Sequence, residues 1–111
     1  MTATTKRDLL PGTLDMLILK TVSTQSMHGY GIAQHIQRLS QDVIQVEEGS
    51  LYPALQRMRQ KGWIKAEWRQ TPNNQRARYY TVTARGRKQL GREESSFAEL
   101  LAAIGRVMKP V

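Results

Sequence analysis

Three rhythms of apolar and polar residues run along this chain. From Leu14 the residues are apolar nearly all round (Leu14, Met16, Leu17, Ile18, Leu19, Val22), broken only by Asp15 and Lys20. That pattern predicts a helix that must be covered on more than one side, and in so small a domain the second cover is expected from another subunit. Pro11 and Gly12 precede it as breakers, with Thr13 or Gly12 as its cap. Residues 23–29 read as a turn. A second helix is expected from residue 29 or 30 to 40, with Ile32, Ala33, Ile36 and Leu39 inward and Gln34, His35, Gln37 and Arg38 outward. The run Val43, Ile44, Gln45, Val46 is short and β-branched, and predicts a brief strand.

Residues 48–62 carry a third helix. Ser50 is the expected N-cap, Pro53 falls in the first turn where a missing N–H costs little, and Gly62 after Lys61 supplies the stop. At 100° per residue Leu51, Ala54, Leu55 and Met58 share one side. Tyr52, Gln56, Arg59 and Gln60 share the other, with Arg57 on the flank. Beyond Gly62 the period drops to two: Ile64, Ala66 and Trp68 alternate with Lys65, Glu67 and Arg69, and Arg78, Tyr80 and Val82 with Ala77, Tyr79 and Thr81. The polar cluster at 70–75 between them predicts a two-stranded antiparallel hairpin with a long tip. Thr83 then caps a last helix to about Met108, striped by Leu90, Phe97, Leu101, Ile104 and Met108. About 25 residues at 1.5 Å each span ~37 Å, longer than the rest of such a domain is wide, so the distal half is expected to pack on a second copy.

Composition sharpens this outline. The 111 residues suit one domain, and 17 Lys+Arg against 9 Asp+Glu leave a net charge of +8. Residues 1–55 hold 4 basic and 5 acidic groups, residues 56–92 hold 11 and 1, and residues 93–111 hold 2 and 3. The surplus therefore sits on the third helix, the hairpin and the start of the fourth helix, as an electrostatic footprint for a polyanion does. No cysteine is present, which excludes disulfides and thiolate metal sites. No apolar run approaches the ~20 residues a bilayer span needs, and no apolar stretch follows Lys6 and Arg7 as in a secretory leader. The expectation is a cytoplasmic protein with no membrane partner.

Catalytic and metal chemistry find little support. His28 and His35 are seven residues apart with no third ligand, so no metal site is expected. His28, Gly29, Tyr30 and Gly31 instead shape the turn into the second helix, where glycines permit close backbone approach. Glu47 and Glu48 read as favourable charge at a helix N-terminus rather than an acid/base pair. No nucleophile stands beside a base, so neither an enzyme nor a cofactor is expected. Trp63, Trp68, Phe97 and the methionines read as core or interface.

Two helices, a third with a hydrogen-bonding outer face, then a basic hairpin is the order of a winged helix-turn-helix: a mainly α (α+β) fold, here with a long C-terminal dimerisation helix. Its divisions are a flexible tail at 1–8, a DNA-binding domain at 9–83 and the dimerisation helix at 84–111. In that fold the third helix reads base edges while hairpin cations hold phosphates or probe the minor groove. The DNA-binding residues expected are Ser50, Tyr52, Pro53, Gln56, Arg57, Arg59, Gln60 and Lys61 on the helix, with Lys65, Arg69, Asn73, Asn74, Arg76 and Arg78 on the hairpin. Tyr52 alternatively packs against its own turn and the hairpin, and the tip residues alternatively form an ordinary solvated turn. The dimer interface is expected at Leu14, Leu17, Leu90, Phe97, Leu101, Ile104 and Met108.

Several stretches together resemble the PadR family of bacterial transcriptional regulators: Leu10, Pro11 and Gly12 with residues 14–19, His28 to Ile32, Glu48 to Leu55, Gly62 to Ile64, Tyr79 to Thr83, and Gly86 with Arg87. The match covers about residues 9–92 and is most similar to short members whose C-terminal part is a single dimerisation helix. The resemblance implies a homodimer on double-stranded operator DNA, usually a repressor, and in some members DNA release on binding phenolic acids or drugs. A small aromatic effector would then meet Phe97 between subunits. Two other readings stand beside this one. One is a ligand-sensing module whose interface cavity, resting on Phe97 and Trp63, is its main purpose. The other is a winged helix that binds nucleic acid without sequence preference, or another protein.

Overall fold

The computed structural model describes residues 12–109; the expected tail and the Leu9–Pro11 lead-in lie outside them. Four helices and a small sheet follow in the order α1 (Thr13–Thr24), β1 (Met27–His28), α2 (Gly29–Leu39), α3 (Glu48–Gln60), β2 (Ile64–Gln70), β3 (Arg76–Val82) and α4 (Ala84–Met108). The sheet is antiparallel with strand order β1-β3-β2. The expected winged helix-turn-helix is the fold observed.

The core forms where the apolar stripes meet. Ile18, Leu19 and Val22 of α1, Ile32 and Ile36 of α2, and Leu51, Leu55 and Met58 of α3 are buried together, with Ile64, Tyr80 and Val82 of the sheet and Leu90 of α4 closing the edge. Helix α1 lies at the centre, against α2, α3, α4 and β3. Much of its all-round apolarity is therefore met by its own chain. Leu14 and Leu17, expected at a subunit interface, pack half-buried against that core, and Leu90 is 8% exposed within it. Asp15 is the one buried charge of α1, and it meets Arg57 of α3 at 2.5 Å. Arg57 thus ties the third helix to the first.

Local chemistry sets the helix ends, and in places differs from expectation. The ladder of α3 starts at the Glu47 carbonyl, which accepts from Ser50 N and Leu51 N at 3.0 and 2.9 Å. Glu47 is the N-cap without a side-chain bond, so Ser50 lies inside the first turn and Pro53 inside the second. The C-terminus is the expected stop: Gly62 at φ +80° donates to Arg59 O, and Trp63 N donates to Met58 O. This is a Schellman closure. Leu39, expected inward, is 67% exposed, because α2 ends there and the chain leaves the core.

The expected strand at 43–46 is absent, and the pairing strand is the dipeptide Met27–His28, inside the stretch read as a turn. Strand β3 takes β1 on one side and β2 on the other, so both sides of the central strand are filled by residues 27–28 and 64–70 rather than by 43–46. Instead Gln41 and Asp42 turn with positive φ, and the Ser40 hydroxyl accepts from Ile44 N at 3.0 Å. Ile44 and Val46 still pack against the core.

The hairpin and α4 are joined at one tight junction. Thr83 N donates to Trp63 O at 3.0 Å, the Thr83 hydroxyl donates to Gly62 O at 2.6 Å, and the same hydroxyl accepts from Gly86 N at 3.0 Å as the expected N-cap of α4. A Cβ at Gly86 would stand 2.0 Å from the Trp63 carbonyl oxygen. Gly91, five residues on in the same helix, has nothing within 4 Å of its virtual Cβ. Gly86→Ala is expected to lose about 1–3 kcal/mol as an overpacked site. Gly91→Ala is expected to gain about 0.5–1 kcal/mol from helix propensity. Urea unfolding of the two variants beside the parent checks the opposite signs.

Candidate nucleic-acid interface

The residues expected to bind a polyanion divide into those the fold gathers and those it separates. A cleft of about 970 Å³ opens between the start of α2, the outer face of α3 and the hairpin. Its helical wall is Tyr52, Gln56 and Arg59, which follow one another at i, i+4 and i+7. Its hairpin wall carries Asn73, Arg76 and Arg78. Six of the expected residues therefore face one space. Among the described residues no carboxylate lines it, and three guanidiniums dominate its potential.

The start of α2 shapes the floor. His28 Nδ1 accepts from Gly31 N at 3.0 Å and caps the helix, while the ring meets Tyr79 edge-on at 5.3 Å. A Cβ at Gly29 would fall 2.7 Å from the Tyr52 hydroxyl, so only glycine lets the phenol ring settle there. Tyr52 packs against the start of α2, rather than only its own turn and the hairpin, and remains 44% exposed, lining the cleft. Partial burial, then the negative charge of Glu48 and the Tyr80 phenol, push its ionisation upward. It therefore stays a protonated donor at neutral pH.

Other expected residues point elsewhere. The Arg57 side chain is bound to Asp15. Lys61 lies over the Trp63 ring at 4.8 Å, at the far end of α3. Lys65 and Arg69 occupy the opposite face of the hairpin, and Arg69 pairs with Glu67 at 3.1 Å, which lowers the carboxyl's pKa. Ser50, Pro53 and Gln60 are exposed on α3 outside the cleft. At the tip, Asn74 takes φ +66° and its side chain accepts from Gln70 at 2.7 Å, which orders the turn.

Sequence reasoning did not find Trp68, Tyr30 or Gln34. Trp68 shares a strand face with Ile64 and Ala66 and so reads as core, but β2 outruns the core and its outer end opens into the cleft. Tyr30 and Gln34, hydrogen-bonded at 2.7 Å, look like ordinary solvated positions of α2.

The second gathering of expected residues is on α4. Phe97, Leu101, Ile104 and Met108 are all exposed, joined by Leu100 and Val107. Phe97 and Leu100 also border a cavity of about 260 Å³ against Thr13 and Met16 of α1. That is below the ~300–1,000 Å³ usual for small-molecule sites. No helix is long and apolar enough to cross a membrane, and no metal-binding group of three or more side chains occurs, both among the described residues.

Known proteins agree with this architecture. The family model described as the transcriptional regulator PadR-like family matches residues 18–92. A transcriptional regulator from Clostridium thermocellum shares the fold with a TM-score of 0.81 at 24% identity, over 88% of this chain and 95% of that one. A PadR family transcription regulator from Clostridium difficile shares it with a TM-score of 0.76 at 26% identity, over 88% and 100%. A protein called Uncharacterized protein X from Lysinibacillus sphaericus is 28% identical over 104 residues, 94% of this chain and 95% of that one.

Geometry separates two neighbouring arginines of α3. Arg59→Ala is expected to weaken binding to every duplex and to lower the salt slope by about one unit. Arg57→Ala is expected to leave the slope unchanged and to lower the melting temperature instead, since it strands the buried Asp15. Fluorescence anisotropy at several salt concentrations, beside thermal melts, reads both outcomes.

Proposed function

The chain belongs to the PadR-like family of transcriptional regulators, which bind DNA, and on that premise we propose that it is a homodimeric repressor acting on a pseudo-palindromic operator. The observation that carries this reading is the pairing of two unfinished surfaces. One is the acid-free cleft beside the outer face of α3. The other is the apolar stripe Phe97, Leu101, Ile104 and Met108 on α4.

The stripe argues for a second copy. Helix α4 has 25 residues, yet its buried positions, Gly86 and Leu90, both lie in its first seven. The remainder presents large apolar side chains at spacings of three and four, which suit a helix lying along its own symmetry mate. Such stripes left in water cost about 25 cal/mol per Å², which association recovers. Pairing by α4 would hold two α3 helices in a fixed relation. On B-form DNA they would enter successive major grooves about 34 Å apart.

Within each half-site the roles follow from side-chain chemistry. Gln56 and Gln60 offer amides of the kind that read adenine, and Tyr52 offers a donor. Arg59, Arg76 and Arg78 supply phosphate contacts that set register and affinity. Repression follows from occupancy of a promoter. An effector at Phe97 would need the dimer to enlarge the small cavity beside α1.

Two outcomes are expected. Selection of bound duplexes from a random pool yields a two-fold-related motif with half-sites one helical turn apart; enrichment of no motif contradicts the reading. The double variant Leu101→Asp with Ile104→Asp sediments as a monomer and loses at least about tenfold in operator affinity, while a monomeric parent chain contradicts it.

A further inference from the structure

Trp68 is the largest side chain that the fold leaves without a task. It is 56% exposed, although Ile64 and Ala66 on the same strand face turn into or against the core. Large aromatic rings are normally buried, so an indole standing in a cleft wall invites a contact. Its register partner across the hairpin is Arg78, and Gln70 pairs with Arg76 one step further along the same face.

Both guanidiniums lie on the ring. Arg76 is 5.2 Å and Arg78 5.7 Å from its centroid, within range of a cation–π contact. Such a contact leaves the outward terminal N–H groups of the guanidinium free for an oxyanion. Arg78 Nε itself is enclosed, with no hydrogen-bond partner among the described residues. Arg59 faces the pair from α3 across the same acid-free cleft. An exposed indole and three guanidiniums, two of them within cation–π range of its ring, thus meet at one place.

We propose that Trp68 is a DNA-contacting residue of the wing, which holds Arg76 and Arg78 over successive phosphates of the strand threading the cleft and lays its free surface on deoxyribose. The proposal rests on the DNA-binding reading and adds a contact and a positioning role to it. Its physical advantage is preorganisation. Two free arginines would each lose rotamer freedom on meeting a phosphate, whereas arginines already held over an indole have less to lose. Among aromatic rings, indole attracts a cation best, so phenylalanine would replace it only in part.

The test uses the full chain with two labelled duplexes, one of random sequence and one selected from a pool, across a salt series. Trp68→Leu is expected to raise Kd about tenfold on both duplexes and to lower the salt slope by about one to two units as the arginines lose their register. Its melting temperature should stay near the parent's, and Trp68→Phe should recover part of the loss. Combining Trp68→Leu with Arg76→Ala and Arg78→Ala should cost less than the sum of the separate losses. In a Trp63→Phe background, where Trp68 is the remaining tryptophan, duplex should quench or shift its emission. Emission indifferent to duplex overturns the proposal, as does a Trp68→Leu chain with parental affinity and slope. A parent chain that binds neither duplex removes the broader reading and this one with it.

Discussion

The wing and the long helix both depend on how Thr83 is held. Its amide donates to Trp63 O, its hydroxyl donates to Gly62 O, and that hydroxyl accepts from Gly86 N. One residue therefore closes the base of the hairpin onto the end of α3 and starts α4. The close approach needs glycine at position 86, because any Cβ would collide with the Trp63 carbonyl. The cleft wall and the exposed stripe of α4 are aimed by this junction. A shift there would move Arg76 and Arg78 relative to Arg59, and would also re-aim the exposed apolar stripe of α4.

From that junction the division of labour among the charges becomes intelligible. The basic surplus of residues 56–92 is not one undivided patch. Some of it is structural, as where Arg57 neutralises Asp15 at the centre of the domain. Some is held on the far face of the hairpin, where Glu67 accepts from Arg69. What remains, Arg59, Arg76 and Arg78, shares a cleft that no carboxylate lines among the described residues. Concentrated charge at a concave surface raises the local potential more than the same charge spread over a sphere. In the proposed reading these few residues set affinity and register, and the amides of α3 discriminate.

The helices, the hairpin and its long polar tip were legible because their apolar periods of 3.6 and two are enforced by burial on one side. Thr83 and Gly62 were legible because capping chemistry is local. Less was visible where a neighbour decides. The strand Met27–His28 is too short to have a period and exists only because β3 offers an edge. Val43 to Val46 have strand-like side chains, yet both sides of the central strand β3 are taken by β1 and β2. Ser50 is an excellent cap by type, yet the Glu47 carbonyl starts the helix earlier. At the cleft, a helical wheel puts Tyr52, Gln56 and Arg59 on one face with Arg57 on its flank, but does not show that Arg57 is bound to Asp15, a partner 42 residues away in the chain. Trp68 was hidden by the same alternation that revealed the hairpin, because a strand face is core at one end and surface at the other.

The central claim is that two copies of this cleft grip DNA one helical turn apart, each with one sugar-phosphate strand running between α3 and the wing. Hydroxyl-radical footprinting of the full chain on a selected duplex measures it most directly, because the probe attacks deoxyribose. The account predicts two short protected stretches on each strand, related by a two-fold axis and centred about ten base pairs apart. A single protected stretch, or uniform protection without a two-fold relation, would contradict it.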